Sequence, residues 1–243
     1  MRLIFARISW MTFYKGDASD QPISHMAYVR QAEGPVGERF NFAPIQGRLF
    51  GYVAPSGEAP YQLGRIDPSA QGADRLDGVL LVFMAARPPE FGGGKVVVGW
   101  YRNATLYPDW RKPRRSDRYL HNRKNWEYCC ECKAKDAVLL PSRLRNWQVP
   151  RGRGGMRQAK VRYLDARQGW MRRLVSQIAQ YRGPSLTQDP AAEAEDVAAL
   201  RAEVVHAGSQ GFALDSRMRG LIEERAIAVA KAAFGRQRFP IRD

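Results

Sequence analysis

The chain has 243 residues, 44% of them hydrophobic, enough for one large domain or a medium domain with an appendage. No apolar run approaches membrane-spanning length, and Arg2 and Arg7 interrupt the first apolar segment, which predicts a cytoplasmic chain without a membrane partner. The formal net charge is +15, and residues 101–163, with 17 basic and 5 acidic side chains, hold 12 of that excess, which predicts a polyanion partner, most simply nucleic acid.

In chain order, Arg2 to Trp10 reads as a strand, followed by a turn at Gly16 and Asp17. Trp10 and Tyr14 fall at and just beyond its end, where loops tend to carry pocket residues. The polar stretch from Gln21 to Gly37 contains His25, with no partner base nearby to make it catalytic. Phe40, Phe42 and Ile45 then alternate with polar residues ahead of a strand from Arg48 to Ala54, so Asn41 and Phe42 either line a pocket or fill the sheet. Asp67 ahead of Pro68 predicts a turn in which the carboxylate bonds its own backbone. Val79 to Ala86 is apolar throughout and reads as a central strand, closed by Pro88 and Pro89. Gly92 to Gly94 are not a phosphate-binding loop, since no helix with Lys and Ser or Thr follows.

The next strand, KVVVGWYRNATLY from Lys95 to Tyr107, is the stretch around which the chain is organised. Val96 to Val98 favour a pleated, buried surface, and Gly99 lets another backbone or a flat ligand approach closely. Trp100 and Tyr101 with Arg102 and Asn103 read either as core aromatics before a polar turn or as groups that stack on a base and read its edge. From Trp110 to Asn125, Arg111, Lys112, Arg114, Arg115, Arg118, Arg123 and Lys124 interleave with aromatics, a mixture suited to phosphate contacts and stacking. Two short strands follow up to Pro141, and then VPRGRGGMRQAKVRY, where Arg151, Arg153 and Arg157 surround a glycine pair able to wrap an anion or form a basic hairpin. The remainder is helical: Trp170, Leu174, Ile178 and Tyr181 recur at helical spacing, Asp189 and Pro190 open an alanine-rich helix, and a last helix runs from about Ser216 to Phe234.

Two catalytic readings arise in the middle segment. His121 with Cys129, Cys130 and Cys132 lacks the paired spacing of a zinc site, and no metal or cofactor is expected. Glu131 and Lys133 have the Glu-X-Lys spacing of many metal-dependent nucleases, with Asp117 or Asp109 upstream.

The stretches FARISWMTFYKGD, ERFNFAPIQGRLFGYV, IDPSAQGADRLDGVLLVFMAARP, VVVGWYRNATLY and KAKDAVLLPSRLRNWQVPRGRGGM together resemble a bacterial module at the N-terminus of restriction-like nucleases, similar to PUA-superfamily readers of the EVE, YTH and SRA type. The resemblance implies an α+β fold: a bent, PUA-like β-barrel with flanking helices over residues 1–166, then a helical segment over 167–243. It implies a pocket for a flipped, modified base, a 5-substituted cytosine for example, formed by Trp10, Tyr14, Asn41, Phe42, Trp100, Tyr101 and Asn103. Arg102 and the basic residues from Arg111 to Arg157 would grip phosphates. The chain departs from the pattern at SHMAYVRQAEGPVG and in the basic stretch from Arg157 to Arg162. The last helix resembles the opening of a NO VEIN-related nuclease domain, in which that helix precedes the carboxylates and lysine of the active site, so either the chain stops short of its effector or the effector has been lost, and catalysis is not assigned to what remains. The implied partner is double-stranded DNA with a modified base, with a nuclease or a second copy as further partners. The alternatives are an RNA-binding module and a metal-dependent nuclease using Asp117, Glu131 and Lys133.

Overall fold

The computed structural model describes residues 1–17, 20–22, 37–54, 60–89, 92–112, 127–150, 155, 159–163, 169–209 and 216–236. Its centre is a sheet of β1 (Leu3–Ile8), β2 (Arg48–Gly51), β3 (Leu76–Ala86), β4 (Lys95–Arg111), β5 (Tyr128–Lys133), β6 (Ala137–Leu139) and β7 (Val161–Tyr163). The spatial order is β2-β5-β4-β3-β1-β7, with β6 on β4. Only the β1–β3 pair is parallel among the ladders described. The architecture is therefore mixed α and β with an open sheet: among the described residues no ladder joins β7 to β2, so the closure expected of a barrel is not made.

Alternation along β1 and β3 gives the sheet a core on each face. Leu3 and Phe5 of β1, with Val82 and Met84 of β3, pack against Met171, Leu174 and Ile178 of α1 (Gly169–Gln180). Ile4, Ala6 and Ile8, with Val79, Leu81 and Phe83, face the other core. That core also takes Leu186, Val197 and Leu200, the latter two from α2 (Pro190–Ser209), and Leu221 and Ile222 from α3 (Ser216–Arg236). Asp189 caps α2 through the N–H groups of Ala191 and Ala192, at 3.0 and 3.1 Å. No described helix is long and apolar enough to cross a membrane.

β4 is longer than its sequence suggests. The polar pair after Tyr101 is not a turn: the strand continues to Arg111, and the extra residue is absorbed where Tyr101 pairs with Leu81 but Ala104 with Val79. Asn103 sits in this bulge at φ +52°, a left-handed conformation that Asn tolerates. A second slip, between Val97–Met84 and Gly99–Phe83, shifts the alternation so that Trp100 shares a face with Val97. Gly99 is needed for close approach of backbone rather than ligand: a Cβ there would lie 2.4 Å from the Val138 carbonyl oxygen of β6 and 2.8 Å from the Phe42 ring.

The turn after β1 is held by a buried guanidinium. Arg145, fully buried, donates to the carbonyls of Leu140, Met11 and Thr12 at 2.9, 2.7 and 2.6 Å. Asp20 accepts from the backbone N–H of Thr12, Phe13 and Tyr14 at 2.8 to 2.9 Å. Burial lowers the Arg145 pKa and raises that of Asp20, and the Asp20 carboxylate is offset chiefly by its backbone donors. Arg145→Met should leave three buried carbonyls unpaired and cost about 3 kcal/mol or more in urea denaturation. Arg145→Lys should recover little of it, because an ammonium lacks the planar fork; a loss below about 1 kcal/mol in either variant would contradict this role.

Candidate functional site

The structure brings five of the seven pocket candidates, Trp10, Tyr14, Asn41, Phe42 and Tyr101, into one buried cluster, with Trp100 in the opposite core and Asn103 exposed. Trp100 and Tyr101 are both 0% exposed but belong to opposite cores. Tyr101 packs edge-on against Phe42 and Phe83, with ring centres 5.5 and 4.8 Å apart, and its hydroxyl donates to the Asn41 carbonyl. Tyr14 meets Phe42 edge-on at 6.0 Å, while its hydroxyl donates to the Ser9 carbonyl. The Arg145 guanidinium carbon lies 5.3 Å from the Trp10 ring centre and 5.6 Å from that of Tyr14, so both rings form the walls of its enclosure. Asn41 spends its amide on the backbone of Tyr52, donating to the carbonyl at 3.0 Å and accepting from the N–H at 2.7 Å. Asn103 alone of the seven is exposed, on the β4 bulge. Trp100 and Tyr101 part by ordinary strand alternation, while the register slip between Val97 and Gly99, which sequence alternation does not reveal, puts Trp100 in the core on the α1 side.

Of the phosphate candidates, Arg114, Arg115, Arg118, Arg123, Lys124, Arg151, Arg153 and Arg157 lie outside the described residues, as do His25, Asp117 and His121. Lys112 is exposed. Arg111 lies over the Tyr107 ring at 4.8 Å and donates to the Asp74 carbonyl at 3.3 Å. Arg102 is turned inward, donating to the Ile178 carbonyl near the end of α1. The antiparallel β4–β5 pairing, with Arg111 opposite Tyr128, makes residues 112–127 the connection at one end of β4. Half-buried Phe50 and Tyr107 pack edge-on against Tyr128 there, at 5.0 and 6.0 Å.

Glu131 is engaged structurally: Arg48 pairs with Oε1 at 2.8 Å, and the Tyr107 hydroxyl donates to the same oxygen at 2.9 Å. Lys133, two residues on, is exposed. Among the described residues no group of three His, Cys, Asp or Glu side chains is placed to hold a metal.

One cavity, of about 520 Å³, opens between α1 and the segment after β6. Asn146, Trp147 and Gln148 line one side, and Trp170, Arg173 and Gln177 the other. The Trp147 carbonyl accepts from Val97 N–H at 3.0 Å, and Val149 N–H donates to the Lys95 carbonyl at 2.8 Å, so this wall extends the sheet at the opposite end of β4 from Arg111. Trp147 stacks on Trp100 at 5.5 Å and 22°, and Tyr181 abuts both rings edge-on at 5.2 and 5.7 Å. The Trp100 indole N–H is buried without a partner among the described residues. Helical spacing alone places Trp170 with Leu174 and Ile178 and does not reveal that its ring borders a cavity. Two signals point to it: a tryptophan flanked by amides between Pro141 and Pro150, and Trp170, Arg173 and Gln177 at i, i+3 and i+7.

No protein-family model, curated protein or solved structure matches this chain.

Cys129, Cys130 and Cys132 are buried, free thiols. Burial raises the Cys132 pKa to about 12 and that of Cys130 well above the usual thiol range, so neither is a thiolate at neutral pH. With all three at most 4% exposed, a disulfide reagent should label none in the native protein and all three in guanidinium; fast native labelling would contradict the enclosure.

Proposed function

We propose that the chain is a nucleic-acid reader that recognises a modified base in double-stranded DNA, acting in the cytoplasm as the recognition part of a modification-dependent restriction or phage-defence system. The observation that carries this reading is the charge: residues 101–163 hold 12 of the 15 excess positive charges, largely in the connection from β4 to β5 and in the stretch between β6 and β7. Cations in quantity neutralise phosphates and release counterions, which gives affinity without sequence preference. Base recognition then requires a second element that meets the base itself, at the cost of a few kcal/mol to unstack it.

The bulged β4 supports the bent-sheet part of the PUA-like resemblance, because a bulge bends its strand and increases local twist. The number of cations in the two basic stretches suits a polyanion better than a single small anion. The carboxylate of Glu131, already held by Arg48 and Tyr107, gives no support to a metal-dependent nuclease in this chain.

Binding should be measured on duplexes carrying cytosine, 5-methylcytosine, 5-hydroxymethylcytosine or N6-methyladenine, each over a range of salt. The expected result is a linear fall of log affinity with log salt and a preference for one modified duplex at about 0.15 M. Replacing Arg114, Arg115 and Arg118 with Glu should weaken binding to every duplex alike and flatten the salt slope. Stronger binding to single-stranded or hairpin RNA would replace this reading with an RNA-binding one. Absence of binding to any nucleic acid at about 0.05 M salt would overturn both.

A further inference from the structure

In the cavity beside α1, aromatic surface, amides and a cation meet open space. We infer that the cavity receives a nucleobase together with its sugar, an inference that rests on the proposed nucleic-acid reading for the polymer that delivers the base.

The lining chemistry selects this ligand class. Trp147 and Trp170 offer π surface, on which every base stacks. Asn146, Gln148 and Gln177 each carry an acceptor and a two-hydrogen donor, the pairing that base edges present in complementary order. Arg173 supplies positive charge, and the described lining residues are aromatic, aliphatic, amide or cationic rather than acidic, which suits a nucleotide. Its volume of about 520 Å³ lies within the roughly 300–1,000 Å³ typical of small-molecule sites and exceeds what a flat base alone would fill.

The walls are also held in place before any ligand arrives. Trp147 is pinned through its backbone to β4 and through its ring to Trp100 and Tyr181. The Trp170 ring lies 5.4 Å from Phe5, which belongs to the core of β1. Gly94 keeps the space that Gln148 occupies: its φ is +90°, and a Cβ there would sit 2.6 Å from the Gln148 side-chain oxygen. An adaptable surface would not need such support, whereas a site that orients a planar ligand does.

The test uses the full chain and measures tryptophan fluorescence and calorimetric binding. The probes are the 5′-monophosphates of cytidine, 5-methylcytidine, adenosine and N6-methyladenosine, with ribose 5-phosphate as the control lacking a base. Base-containing nucleotides should bind and quench fluorescence, while ribose 5-phosphate should not. Trp147→Ala should weaken binding about tenfold or more. Because that change also removes packing from Trp100, Arg173→Ala and Gln177→Leu are measured in parallel; both positions are exposed, and thermal melts should match the parent. Gln177→Leu should alter the ranking among bases rather than weaken all equally. Equal binding of nucleotides and ribose 5-phosphate, or nucleotide binding unchanged in all three variants, would overturn the cavity assignment. If modified duplexes are still distinguished in that event, the function stands and the base lies elsewhere. If nucleotides bind in the cavity but no duplex or RNA does, the cavity assignment stands for a free nucleotide and the nucleic-acid reading falls.

Discussion

The Arg145 guanidinium is the constraint on which the rest of this structure depends. It is fully buried, and it reaches residues more than 130 positions away in sequence, taking the carbonyls of Met11 and Thr12 while also holding Leu140. Asp20 gathers the opposing N–H groups of Thr12, Phe13 and Tyr14, so donors and acceptors of one short segment are satisfied by two side chains. That segment cannot form a ladder of its own, and its buried polar groups would otherwise be costly. Tyr14 is held at φ +50°, a conformation a bulky residue adopts only when its surroundings enforce it. The rings of Trp10 and Tyr14 complete the enclosure, which is why these aromatics pack as structure rather than facing a ligand.

A second, ionic cluster fixes the helices to the same turn. Arg225 of α3 bridges Asp17 and Glu193, and Lys15 donates to the other oxygen of Glu193 at 2.6 Å. All four side chains are 14% exposed or less, so the charges offset one another in a region largely without solvent. Burial lowers the Lys15 pKa, while Glu193 works against that shift. The helices are thereby docked by charge at their rim and by Val197, Leu200, Leu221 and Ile222 within the core.

β4 joins two distinct features of the structure. At one end it opens into the connection carrying most of the basic residues from Arg111 to Lys124. At the other, its first residues pair with the Trp147 segment and build one wall of the cavity. The bulges between the two ends decide which face each aromatic takes.

Much of the secondary structure was legible locally. Alternating and continuous apolar runs mark β1 and β3, Asp189 and Pro190 mark the start of α2, and Asp67 ahead of Ser69 marks its turn through a 3.0 Å bond to the Ser69 N–H. The concentration of positive charge is also a property of the sequence alone. Short-range periodicity and turn chemistry determine such features without tertiary contacts. That Trp100 and Tyr101 face opposite sides follows from alternation, but which core each one joins was not legible, because a one-residue slip between Val97 and Gly99 inverts the alternation and depends on pairing with β3. Nor was the enclosure of Trp10 by Arg145, or a cavity assembled from residues 146–150 and 170–177. Those features join segments separated in the chain, and only the packing of α1 and the β6 extension onto β4 decides which side chains meet.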